Sequence, residues 1–178
     1  MRNTIFLLAI CCLSFFCNTA TAQTSVEMNN QGLVKYKAKD YAGALADFNK
    51  AVQLDAKNEK ALHNRGLAKY ALKDFAGAIA DQTQAIALKP TYSNAYNDRG
   101  MVYYKQNNNT AALSDFNAAI ANDPAYFLAY KNRAAVQVAL KNYAAADNDY
   151  AKCIELKPDD ADGYLGRGSM KSMQKNYA

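Results

Sequence analysis

The stretch "NRG" at 64–66 comes back as "DRG" at 98–100, "NRA" at 132–134 and "GRG" at 166–168, each time 34 residues later. An isolated Arg-Gly suits a loop that grips phosphate, whereas a fixed interval suits a repeated structural unit. Laid out in 34s, the chain gives blocks 25–58, 59–92, 93–126 and 127–160 and a shortened 161–178. Gly32, Gly66, Gly100, Ala134 and Gly168 share block position 8. Ala44, Ala78, Ala112 and Ala146 share position 20, and Ala51, Ala85, Ala119 and Cys153 share position 27. Small residues at these points let two helices approach closely, and Cys153 falls in a small-residue slot. Tyr41, Phe75, Tyr143 and Tyr177 at position 17 fill space between helices, with Phe48, Phe116 and Tyr150 at position 24. Pro90, Pro124 and Pro158 share position 32, where a helix must end because proline lacks the N–H and blocks continuation.

Each block therefore reads helix, short turn, helix. The turns start at Lys39, Lys73, Asn107, Lys141 and Lys175, and the Asp or Asn that follows suits the cap of the second helix. With this combination of Gly/Ala, Ala, Ala and Pro, the chain resembles the tetratricopeptide-repeat family across residues 25–178. The resemblance implies an all-α, right-handed superhelical solenoid of four complete repeats and a partial fifth. Three departures from the pattern predict weaker local packing: Ala56 in place of Pro, and Gln82 and Asn109 in place of aromatics.

Residues 1–22 stand apart. A positive start, an apolar run over 4–17 and Ala20-Thr21-Ala22 read as a secretory signal cleaved near Ala22, with 23–178 as the repeat array. The run is too short for a good membrane anchor, which needs roughly 20 apolar residues. Ile10, Cys11 and Phe16 before the three cysteines disfavour a lipid anchor. Removing the signal lowers the net charge from +5 to +4 and leaves Cys153 as the remaining cysteine. An exported chain with scattered Lys and Arg is a poor nucleic-acid binder. At the other end, residues 161–176 match a first helix and its turn, and Met170 and Met173 suggest an apolar seam for a partner or dimer contact.

The repeated Arg is unusual, because the family places an apolar residue at position 7 where this chain has Gln31, Arg65, Arg99, Arg133 and Arg167. Asp47, Asp81, Asp115 and Asp149 stand at position 23. Pairing each Asp with the Arg 18 residues later leaves no group over, so a structural ladder of Asp–Arg pairs between repeats is expected. Anion binding by the arginines is the competing reading.

In the family, the first helices line a concave groove. Position 6 there holds Asn30, Asn64, Asp98, Asn132 and Gly166, with His63 and Asn97 one place before. Asn both donates and accepts, so such a ladder suits the backbone of an extended peptide; the bland reading is a solvated helix face. Tyr36, Tyr70 and Tyr104 form a stripe at position 12, and Leu128, Ala135, Val138 and Ala139 make the fourth block more apolar. The Lys and Arg of a two-carboxylate clamp are missing, Asn29, Asn64, Asn94 and Asp98 standing there instead. A single histidine and no phosphate loop argue against an enzyme, a metal or a cofactor. The expectation is a scaffold that binds a protein or peptide, with carbohydrate or cell-wall binding through the tyrosines as the alternative.

Overall fold

Lys39, Lys73, Asn107 and Lys141 adopt φ of 65°, 67°, 61° and 61°, the left-handed conformation that ends a helix and reverses the chain. The amide of Lys39 bonds to Tyr36 O and that of Asp40 to Lys35 O, and the same two bonds recur at Lys73 and Asp74. The next residue then starts a second helix: Asp40, Asp74 and Asn108 accept from the amides of Gly43, Gly77 and Ala111. Asn142 departs from this, donating to Gln137 Oε1 at 2.9 Å instead.

The computed structural model describes residues 23–176, with side chains as far as 173. The expected signal segment with Cys11, Cys12 and Cys17 lies outside them, as does Tyr177. Among the described residues the first helices are α1 (Ser25–Lys37), α3 (Glu59–Ala71), α5 (Ser93–Lys105), α7 (Phe127–Ala139) and α9 (Ala161–Asn176). The second helices are α2 (Tyr41–Leu54), α4 (Phe75–Leu88), α6 (Asn109–Asn122) and α8 (Tyr143–Leu156). A capping box, Thr24 with Glu27, opens α1. The turn expected at Lys175 is not formed, since α9 stays helical through Asn176. In the other repeats the reversal accompanies a second helix that packs back on the first. No described helix is long and apolar enough to cross a membrane.

Each helix packs on its neighbours in the chain, and α1, α3, α5 and α7 also touch one another in succession. The second helices make no comparable contacts among themselves, so the first helices form the inner, concave side. Within a repeat, glycine makes the approach possible. A Cβ on Gly32 would lie 2.5 Å from Phe48 Cε1, and one on Gly100 would lie 2.8 Å from Phe116 Cε1. Between repeats, Ala44 and Phe48 pack on Ala68, and Ala112 and Phe116 on Val136. Ala146 packs on Ala134 within its own repeat and on Met170 of the next. Met170 is therefore buried, not part of an open apolar seam, while Met173 is 37 % exposed. Cys153 is buried as its slot implied, and burial pushes its thiol up to about 11.

A left-handed turn costs a side chain roughly 1–2 kcal/mol that glycine avoids, against glycine's larger loss of chain entropy. Lys73→Gly should raise the unfolding free energy in urea by about 1 kcal/mol, and Lys73→Val should lower it, since branching at Cβ is poorly tolerated there.

Candidate functional site

The arginines pair within their own repeats. Arg65 grips Asp81 with Nε and Nη2 at 2.8 and 2.6 Å, Arg99 grips Asp115 at 2.8 and 2.7 Å, and Arg133 grips Asp149 at 2.9 and 2.6 Å. The expected ladder between repeats is thus wrong, for a geometric reason. Arg65 and Asp81 each stand eight residues from Lys73, and antiparallel helices bring together residues equidistant from their turn. Asp47, whose block has Gln31 in place of Arg, takes Lys35 Nζ at 2.7 Å. Arg167 turns to Asp147 at 3.2 Å, since Asp149 is occupied. A link between repeats does exist, through the remaining nitrogen of the guanidinium. Nη1 of Arg65, Arg99 and Arg133 donates to Asn49, Thr83 and Asn117 of the preceding second helix. With all three guanidinium nitrogens bonded within the fold, these arginines are structural.

On the concave side, position 5 of one repeat meets position 6 of the next. Asn64 Nδ2 donates to Asn29 Oδ1 at 2.8 Å, and Asn132 Nδ2 donates to Asn97 Oδ1 at 2.9 Å. Between these two rungs His63 faces Asp98, Nε2 to Oδ2 at 3.6 Å. Lys131 departs to pair with Asp162, and Gly166 leaves room for Tyr150. The asparagines are therefore more than a solvated face: Asn64 is 9 % exposed and Asn132 is half-buried. Each amide still has an N–H and an oxygen beyond its partner across the seam. Asn30 is exposed.

The centre of this face is polar inside. Gln82 occupies the place of the missing aromatic; it is 1 % exposed and borders a cavity. Its Nε2 donates to His63 O at 3.2 Å and its Oε1 meets His63 Nδ1 at 3.0 Å, so Nδ1 carries the hydrogen. His63 is buried at 7 % exposure, and its ring packs 5.1 Å from Tyr92. A neutral imidazole would then point its other lone pair at the Asp98 carboxylate. Burial pushes the Asp98 carboxyl above its ordinary 3.8, against the opposing pull of His63 and the hydrogen bond from Asn97. Burial also raises the phenols of Tyr36 and Tyr92, the latter to about 12, with Asp98 contributing to both.

Above this network lies a cavity of about 150 Å³ between α1, α3 and α5, walled by Tyr36, Leu67, Tyr70, Met101 and Asp98. Tyr36 rests edge-on against Tyr41 at 5.2 Å, and Tyr70 leans on Phe75 at 5.7 Å. Tyr104 is half-buried and packs with the Phe116 cluster, so it does not join the cavity. Leu128 in the fourth repeat is 46 % exposed. Among the described residues no group of His, Cys, Asp and Glu could hold a metal ion. Asn29, Gln82 and Tyr92 were missed from sequence; the 35-residue interval from Asn29 to Asn64 and from Asn97 to Asn132 was the available signal for the first of them.

Two measurements check this geometry. In double-mutant cycles by urea unfolding, Arg99 should couple to Asp115 and not to Asp81. Arg99→Leu alone should cost about 3 kcal/mol, since it strands a nearly buried carboxylate. Second, a carboxyl whose folded pKa is raised contributes stability at low pH and loses it as pH rises. Asp98→Asn, which cannot ionise, should therefore melt above the parent at pH 7, with a lead that shrinks as pH falls toward 4.

Family models of the TPR repeat match residues 32–73, and tetratricopeptide-repeat models match residues 59–92 and 97–161. No curated protein sequence matches the chain. Among solved structures, the first TPR domain of Spaghetti (RPAP3) bound to an HSP90 peptide is 27 % identical, with TM-score 0.64, over 67 % of this chain and 94 % of that one. MamA is 24 % identical with TM-score 0.73, over 81 % of this chain and 84 % of that one. YrrB, described as a TPR protein with an unusual peptide-binding site, is 18 % identical with TM-score 0.68, over 85 % and 78 %. The last two likenesses concern the fold alone. A 34-residue period of paired helices, stacked through Gly, Ala and aromatic seams and matched by these models, means that the chain belongs to the tetratricopeptide-repeat family.

Proposed function

We propose that this protein is a non-catalytic interaction scaffold that holds an extended segment of a protein partner along its concave face. We further propose that it does so outside the cytoplasm, once residues 1–22 have been removed. The observation that carries the reading is the row of asparagines at the repeat seams. Asn64 and Asn132 each spend one donor on the neighbouring repeat and keep a donor and an acceptor beside it. An extended backbone presents the complementary groups regardless of its side chains. The peptide-bound TPR domain of RPAP3 supports the same class of role.

The tyrosines favour a peptide over a glycan. Tyr36 and Tyr70 are packed against Tyr41 and Phe75, which restricts the flat stacking that a sugar ring requires.

A display library of random peptides, selected on the purified chain, tests the proposal. Selected peptides should bind a Tyr36→Ala, Tyr70→Ala variant at least tenfold more weakly, about 1.4 kcal/mol, and should bind normally to a variant altered on the outer helix face at Lys50. Peptides insensitive to the tyrosine changes would place binding elsewhere. Failure to select any peptide, with tyrosine-dependent binding of soluble cell-wall glycan, would move the function to carbohydrate.

A further inference from the structure

We propose that the cavity between α1, α3 and α5 is a pocket for one cationic side chain, Lys or Arg, of the bound segment. The inference rests on the scaffold reading and adds the chemistry of the residue it selects. Its basis is a carboxylate that lacks a permanent cation. Asp47, Asp81, Asp115, Asp147, Asp149 and Asp162 all pair with Lys or Arg. Asp98 has His63 at 3.6 Å and a hydrogen bond from Asn97 and, among the described residues, no Lys or Arg within ion-pair distance.

This carboxylate is placed to meet a ligand. Its side chain is 24 % exposed, and it lines the cavity together with Tyr36 and Tyr70. A carboxylate beside aromatic rings suits an ammonium or guanidinium, which gains from the ionic contact and from the negative faces of the rings together. The aliphatic stem of such a side chain would lie along Leu67 and Met101, both apolar and both in the wall. At about 150 Å³ the space holds on the order of five waters at their liquid volume, enough for the end of one long side chain.

The surrounding network explains why the charge is available. Gln82 holds the hydrogen of His63 on Nδ1, so a neutral His63 has nothing to donate to Asp98. An arriving cation adds an ionic partner to the hydrogen bond from Asn97. Burial disfavours the bare Asp98 carboxylate, and the cation relieves that penalty. The net positive charge of the chain does little to oppose this, since charges farther apart than about 8 Å are largely screened at physiological salt.

Short capped Ala/Ser peptides with a central Lys, norleucine or Glu, titrated against the full chain by fluorescence anisotropy, provide the test. Norleucine keeps the stem of Lys and removes the charge. The Lys peptide should bind at least about tenfold more tightly than the norleucine peptide, with the Glu peptide weakest. Asp98→Asn should bring Lys down to the norleucine level and leave norleucine unchanged. This variant is suited to fold, because Asn64 and Asn132 hold the same place in their repeats; Tyr70→Leu, expected to narrow the Lys preference, serves as an independent probe. Equal binding of the Lys and norleucine peptides, or a Lys preference that survives Asp98→Asn, overturns the cation pocket while leaving the scaffold standing. Absence of binding by all three peptides overturns both.

Discussion

The left-handed residue that joins each pair of helices sets the register on which the rest depends. Once Lys73 takes positive φ, α3 and α4 run antiparallel, and residues equidistant from the turn come face to face. That is how Arg65 reaches Asp81, and how Gly32 and Gly100 come to lie against Phe48 and Phe116 of the second helices. The small residue and the ionic fork sit one step apart on the same seam. Close approach buries the carboxylate, and the guanidinium then satisfies it at both oxygens. The two features are linked, because a wider spacing would leave the pair in water, where it contributes little.

Stacking of repeats uses a second set of contacts. Apolar clusters join each second helix to the next first helix, as in Phe48 with Ala68 and Phe116 with Val136. Polar groups do the same at both edges of the array. On one side the Nη1 of Arg65, Arg99 and Arg133 reaches the preceding repeat; on the other, asparagines pair along the concave face. Directional bonds at both edges fix the rotation between repeats, which an apolar seam alone would leave looser.

The second repeat is where this regularity changes. Gln82 replaces an aromatic, His63 and Asp98 replace the asparagine rung, and a cavity opens beside them. A buried polar network is tolerated when its members are satisfied, and here Gln82 anchors His63 while Asn97 donates to Asp98. What the carboxylate in the cavity wall lacks is a Lys or Arg partner among the described residues. Departures from a repeat pattern commonly mark function, and this one sits at the middle of the concave face, within reach of three first helices.

Much of the architecture was legible in the sequence, since it is written in intervals and residue sizes. The 34-residue spacing, the Gly and Ala slots, the prolines and the Asp or Asn caps act over one or two turns of chain, and local sterics decide them. The slot of Cys153 could be read in the same way. The partners of the charges could not be read by counting which groups were left over, because pairing depends on distance across a hairpin, and Asp81 lies nearer Arg65 than Arg99 in space. The burial of His63, the use of Gln82 as its anchor and the isolation of Asp98 were likewise decided by tertiary structure. Each depends on side chains that come together only when successive repeats stack at a defined angle, and no interval along the chain encodes that angle.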